Sequence, residues 1–397
     1  MRIALLTYST KPRGGVVHTL SLAEALQELG HRVHVFALGS PQGEFFRPLE
    51  VDSSLIPHEA PEDAPLDQKI RLYIDAYRQF LQRFDGSFDI YHAQDCISAN
   101  ALWQLRESGK IPWFVRTVHH VDDFVSPYLV QCQEDSIHRP DGIFVVSEFW
   151  RKELLRKFAV ESHIVYNGVD LSRFCPPSPE QATRARLRVG LESGLALGDD
   201  LVFLHIGGIE PRKNSLRLLR AFEKTRAELA EKGRRSVLVL AGGETLFDYR
   251  PYRESFFQAL EESPLELGRD VLHLGSVEED LIPSLYHAAD VFAFPSLKEG
   301  WGLVALEAMA SGCTVLASDL PVFREYLVSG DNGWLIDPEN IEDLSSALTS
   351  LALDKPLRQR LTAAGLETAA RFTWQGSAGQ LSNHYQELLS RSNAEFS

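Results

Sequence analysis

At 397 residues the chain is longer than one hydrophobic core supports, so two domains of roughly 150–200 residues are expected. A formal net charge of −15 excludes a general nucleic-acid binder, which needs a strong cationic field. Hydrophobic residues at 44% and charged residues at 24% leave room for large cores and argue against global disorder.

The four cysteines (Cys96, Cys132, Cys175, Cys313) are far apart in sequence and form no CxxC pair, so reduced thiols in a cytoplasmic protein are expected. No apolar run approaches the ~20 residues that span a bilayer. The opening run Ile3–Tyr8 leads into Lys11 and Arg13, which does not fit a signal peptide. Arg151, Lys152, Arg156 and Lys157 form a small basic patch, read first as a solvated helix face and only second as a peripheral membrane contact.

In chain order, RIALLTY (2–8) is a buried strand, followed by the loop STKPRGG and an amphipathic helix ending at Gly30. HRVHVFAL (31–38) is the second strand. Alternation continues with a helix at 67–84, FDIYHA, a helix at 98–108, WFVRTV, a helical segment near 122–138, GIFVVS, a helix from Ser147 and the short strand HIVYNG. Six strands separated by helices predict a doubly wound α/β domain.

LSRFCPPSPEQ (171–181) has the Pro and Ser content of a linker. A second series then runs through a helix near 180–190 and the strands DLVFLHIGG, SVLVLAGG, DVLHLGSV, DVFAFPS and CTVLASD. Helices are expected at 340–351, 354–369 and over the tail. The predicted domains are 1–170, with the tail helix 375–397 packing back on it, and 171–374. Two such domains predict a crevice with ligands beyond the carboxyl ends of the strands, so candidate residues should follow strands.

The most specific stretch is PSLKEGWGLVALEAMASG (295–312). Glu299 lies in the loop after a strand, and Glu307 lies about two turns into the following helix. Gly300 and Gly302 bracket the helix start and leave backbone N–H groups open to an anion. A diphosphate suits that position, with Glu307 accepting from ribose hydroxyls and Glu299 facing a sugar. After the first strand of the second domain, Arg212 and Lys213 offer two cations to a leaving diphosphate. His119 and His120 follow WFVRTV. Asp122 and Asp123 read as N-capping carboxylates more readily than as acceptor ligands. Gly14–Gly15 are too few for a GxGxxG fingerprint, and HRVHVFAL supplies no acidic residue for NAD.

The segment EGWGLVALEAMA resembles the Glu-x7-Glu signature of glycosyltransferase family 4, with Trp301 for the usual Phe. VYNGVDLSRF, DVFAFPS and FREYL are similar to family stretches, and the resemblance runs from the glycine loop to RFTW (371–374). It implies the GT-B fold, two Rossmann-like domains facing across a crevice. It also implies a retaining transfer from a nucleotide-diphosphate sugar to an acceptor hydroxyl, with no metal or other cofactor.

By the same resemblance, His119, Lys213 and Glu299 carry catalysis. Gly15, Arg212, Val277, Gly300, Trp301, Gly302, Leu303 and Glu307 bind the donor. Many relatives carry Gly-Arg where this chain has Gly207–Gly208, so either Arg212 substitutes for that cation or phosphate binding is weaker. Two rivals remain: a non-catalytic nucleotide-sugar-binding scaffold, and a GT-B-like nucleotide-sugar epimerase. Donor base, donor sugar and acceptor are not specified; the acceptor falls to first-domain loops such as 40–66.

Overall fold

The structure is a computed structural model that describes residues 1–61, 64–243 and 249–395, the side chains of 391–395 excepted. It divides into two compact units, 1–168 with 374–397, and 169–373.

The first unit is built on β1 (Arg2–Thr7), α1 (Gly14–Glu28), β2 (Arg32–Leu38), β3 (Asp52–Ile56), α2 (Leu66–Arg83) and β4 (Ile90–Ala93). It continues with α3 (Cys96–Glu107), β5 (Val115–Val118), α4 (Pro127–His138), β6 (Gly142–Val145), α5 (Glu148–Phe158) and β7 (His163–Ile164). Its seven strands lie in the order β3-β2-β1-β4-β5-β6-β7, all paired in parallel. Sheets of this kind are covered on both faces, and their strands therefore read as continuous apolar runs. β1 and β4 are buried at every residue after Arg2, with Thr7 and His92 the polar residues in otherwise apolar runs.

One strand more is present than the sequence pattern predicts. β3 is the polar segment DSSLI, half-exposed at the sheet edge, where an apolar run is not required. It falls inside the stretch 40–66 that the pattern leaves as loop. The helix expected from 122 instead starts at Pro127, because Ser126 supplies the cap, its hydroxyl accepting from the Leu129 N–H, and proline fits the first helical position. Neither Asp122 nor Asp123 caps it. The basic patch on α5 is a solvated face: Arg151 and Lys152 pair with Glu148, and Arg156 and Lys157 with Glu153. Such exposed pairs contribute little to stability.

The second unit contains α6 (Pro179–Ser193), β8 (Leu201–Ile206), α7 (Ser215–Glu231), β9 (Ser236–Ala241), α8 (Arg250–Glu261), β10 (Val271–Gly275) and α9 (Ile282–Ala288). β11 (Val291–Phe294), α10 (Leu303–Ala310), β12 (Thr314–Ser318), β13 (Trp334–Ile336), α11 (Ile341–Leu353) and α12 (Lys355–Ala369) complete it. The order is β10-β9-β8-β11-β12-β13, again parallel. The three-residue edge strand β13 also escapes the sequence pattern. Phe203, Phe222, Leu238, Phe256 and Val291 lie in one core cluster, joined by residues of α11 and α12.

The segment 171–181 is less of a free linker than its composition suggests. Phe174 is buried with its ring edge-on to Tyr286, and the Cys175 carbonyl accepts from His287. The chain changes unit before that segment, where Val169 bridges Thr373.

The chain then returns to the first unit as α13 (Trp374–Glu395). Tyr385 is fully buried, its hydroxyl 2.5 Å from His92 Nδ1, and the Ser377 hydroxyl donates to the Tyr166 carbonyl. All four cysteines are free thiols. Two that are distant in sequence meet in the fold, where the Asn100 amide donates to the carbonyls of both Cys96 and Cys132.

Candidate functional site: the carboxyl ends of β8 and β11

In each sheet the strand order reverses once, between β1 and β4 in the first unit and between β8 and β11 in the second. Loops leaving two such strands diverge to opposite faces and open a crevice at their carboxyl ends. Most of the predicted donor residues follow β8 or β11.

After β8 the chain passes Gly207–Gly208 and a 3-10 turn, Pro211–Lys213, and enters α7 through Asn214 in the left-handed region at φ 60°. The Asn214 amide donates to the carbonyls of Pro295 and Pro338, and Leu297 N–H donates to the Arg212 carbonyl. These bonds tie the β8 loop to the β11 loop and set the distances of the charged groups above them.

Lys213 Nζ lies 2.6 Å from Glu299 Oε1, and one Arg212 nitrogen lies 3.0 Å from the same oxygen. Another Arg212 nitrogen is 3.1 Å from Glu210, and Lys213 also sits over the Phe294 ring. Two cations and two carboxylates thus close one buried network. Burial would raise the Glu299 carboxyl, but the charges of Lys213 and Arg212 overcome it and hold the pKa at about 2. Burial in turn lowers Lys213, and Glu299 opposes that shift. Glu299 is therefore ionised throughout the neutral range. Glu210, just 3% exposed, was not singled out from the sequence; a carboxylate two residues before an arginine in the same turn was the available signal.

The glycines around this network have a steric basis. A Cβ on Gly208 would come 2.7 Å from the Gly243 carbonyl oxygen, and one on Gly242 would come 2.5 Å from Gly207. The ends of β8 and β9 therefore pack backbone on backbone, leaving no space for an arginine side chain at 208 unless the Gly243 backbone shifts.

Gly302 precedes α10 at φ 91°, with Leu303 as first helical residue, so Glu307 falls in the second turn rather than two full turns in. Gly300 stands in the same loop, partly buried. Glu307 Oε2 accepts from the Tyr286 hydroxyl at 2.9 Å. Burial raises its pKa to about 7, with the Tyr286 bond opposing. A Cβ on Gly302 would meet the Phe323 ring at 2.5 Å. Gly302→Ala is expected to cost about 1–3 kcal/mol, from strain at positive φ and this clash, readable as a lower urea midpoint.

The Trp301 side chain is core, 2% exposed and packed on Tyr326 and Phe372, so its indole fixes the loop and leaves only the backbone of this residue for a ligand. Val277 follows β10 and is partly buried.

In the first unit, His119 stands at the carboxyl end of β5. Its Nε2 lies 3.3 Å from Gln94 Oε1 and its ring packs edge-on to His18. Burial holds His119 well below the usual histidine range, as does neighbouring His18, so it is neutral at pH 7. Gly15 is the second residue of α1, and a Cβ there would make only ordinary contact with His119, at 3.6 Å.

Two family patterns match: "Glycosyltransferase Family 4" over residues 12–173 and "Glycosyl transferases group 1" over 192–368. The D-inositol 3-phosphate glycosyltransferase of Corynebacterium aurimucosum is 26% identical over 98% of this chain and 97% of its own. The O-antigen chain mannosyltransferase B of Escherichia coli is 31% identical over 69% of this chain and 70% of its own. Among solved structures, Anabaena HepE in complex with UDP and glucose superposes with TM-score 0.78 at 20% identity, covering 97% of this chain and 99% of that one. Sucrose-phosphate synthase from Thermosynechococcus elongatus gives 0.79 at 21%, covering 98% and 99%. With both units wound as these parallel sheets and the β8–β11 network in place, the chain belongs to glycosyltransferase family 4 and is a glycosyltransferase of the GT-B fold.

Proposed function

We propose that the enzyme takes a sugar from a nucleoside-diphosphate donor held by the second unit and transfers it to an acceptor hydroxyl with retention of configuration. The observation that carries this is the network joining Lys213, Arg212 and Glu299 beside the Gly302 entrance to α10. A diphosphate at that helix start meets unsatisfied N–H groups and offers new oxygens to the two cations. Lys213 and Arg212 then share their charge with the leaving group, and Glu299, already ionised, accepts from sugar hydroxyls.

Arg212 supplies the cation that Gly208 has no space to carry. Glu307 accepts from the ribose, and Val277 lies against the base. On the family resemblance, His119 contributes a neutral imidazole to the donor sugar, where a cationic ring would oppose positive charge at the anomeric carbon. The proposal includes no metal: the two cations act on the developing diphosphate charge. No carboxylate is assigned as a covalent nucleophile, so the acceptor attacks on the face the diphosphate leaves, and the diphosphate takes its proton.

HepE was crystallised with UDP and UDP-glucose, which makes UDP-sugars the first donors to try. A thermal-shift series of UDP-, GDP-, ADP- and TDP-sugars, with and without EDTA, tests the assignment. A donor bound to the native state at 100 times its Kd adds about 2.7 kcal/mol. One nucleotide class should raise the melting temperature of wild type but not of Glu307→Ala, and EDTA should not alter the shift. Binding without turnover under any acceptor would favour a scaffold, and isomerised donor sugar would favour an epimerase.

Among the described residues, no helix is long and apolar enough to cross a membrane. We place the enzyme in the cytoplasm, where nucleotide sugars are made.

A further inference from the structure

We propose that Tyr286 is a positioning residue for donor binding: its phenol fixes one oxygen of the Glu307 carboxylate and leaves the other to the donor ribose. This rests on the assignment of Glu307 to the ribose.

Tyr286 lies on α9, 1% exposed, with its ring edge-on to Phe174 and Phe292. The ring is core, and only the hydroxyl reaches the site. That hydroxyl lies 2.9 Å from Glu307 Oε2 and 3.1 Å from the Val304 carbonyl oxygen. A phenol has one proton to give and two acceptors here. An ionised carboxylate is the stronger acceptor, so the proton goes to Glu307 when Glu307 is charged. Once Glu307 is protonated, the phenol turns to Val304 and accepts from the acid instead. The pair is a two-position hydrogen bond whose setting follows the charge on Glu307.

The other charged groups around Glu307 act in opposite directions. Arg173 favours the carboxylate and Glu279 opposes it, and these two residues are ion-paired together. Cys313, beside Tyr286, is held neutral by burial. Burial outweighs the rest, for a net value of about 7, and against it the Tyr286 bond is the largest influence favouring the ionised form. The distinction matters for a ribose diol. A carboxylate can accept from two hydroxyls at once, while an acid must use one position as a donor.

The test is Tyr286→Phe, which keeps the ring and its packing, with donor kinetics followed from pH 5.5 to 9. kcat/KM for the donor reports the free enzyme. In wild type it should rise with pH through about 7, as Glu307 ionises. In the phenylalanine variant the midpoint should move to higher pH and donor KM at pH 7 should rise about tenfold, the loss expected for a charge-assisted bond. kcat at saturating donor should be unchanged, and the two enzymes should converge towards pH 9. An unmoved midpoint, or a fall in kcat equal at every pH, overturns the role of Tyr286. Glu307→Ala, run alongside, separates the two levels. If it leaves donor KM unaltered, the ribose assignment itself fails. If it raises KM while Tyr286→Phe leaves the midpoint in place, only the inference about Tyr286 fails.

Discussion

Replacing Lys213 with alanine is expected to lower the transfer rate by about two to three orders of magnitude, the effect of removing one charge-stabilising donor from a buried site. Its ammonium sits 2.6 Å from Glu299 in a side chain 12% exposed, so little solvent is present to substitute for it. Loss of the cation also releases Glu299, whose pKa should climb from about 2 as burial is then opposed by Arg212 and the Ser296 hydrogen bond without Lys213.

Breaking a buried ion pair by removing one partner costs about 3–5 kcal/mol. Because Arg212 still touches Glu299, the lower end is expected. Rates must therefore be compared well below the melting temperature of the variant. A double-mutant cycle with Glu299→Gln isolates the pair. If both single variants and the double lose the same rate, the residues act as one unit; a Lys213→Ala enzyme within fivefold of wild type would remove Lys213 from the mechanism.

Glu307→Gln is the second large effect, and its sign depends on pH. Burial raises the Glu307 carboxyl from its ordinary 4.5 to about 7, so the unfolded chain ionises first as pH climbs. Stability is then lost between about pH 4.5 and 7 because the folded state binds more protons than the unfolded one. The shift corresponds to about 3 kcal/mol, trimmed to about 2 kcal/mol for partial exposure of the residue.

Glutamine carries no such penalty and still accepts from Tyr286. At pH 8 the variant should melt about 4–8 °C higher, given some 2–4 °C per kcal/mol for a unit of this size. At pH 4.5 the two proteins should coincide. The same substitution should weaken donor binding, a trade of function against stability common at ligand sites. A variant no more stable than wild type at pH 8 would show that Glu307 is well solvated. Glu299 has the opposite sign: its stabilisation is present above about pH 4.5 and is lost as pH falls through about 2.

The sequence carried the fold where burial imposes a pattern. β8 and β11 are near-continuous apolar runs, interrupted at His205, because both faces of their sheet are covered, and each is legible from six or fewer residues. β3 and β13 were not, because an edge strand of DSSLI or WLI has too few buried positions to set a period.

The site divides in the same way. EGWGLVALEAMA announces itself, since its glycines answer a local backbone demand. The bond from Lys213 to Glu299 joins residues 86 apart in sequence, and no local pattern reports it. The packing of Trp301 is hidden for a related reason: its place inside the motif does not show that its indole lies in the core. Tyr286 gave no signal, since a tyrosine in a short amphipathic helix reads as core, and here it is core with one polar atom in use.

The return of α13 to the first unit has a consequence for how the molecule is made. Synthesis proceeds from the amino terminus, and domains usually complete themselves in that order. Here His92 and the Tyr166 carbonyl must wait for Tyr385 and Ser377, which are translated after all of the second unit. The second unit, whose ends meet at Val169 and Thr373, has its whole chain available earlier. The nascent polypeptide should therefore finish its later-encoded half first and hold the earlier one open until α13 has emerged from the ribosome.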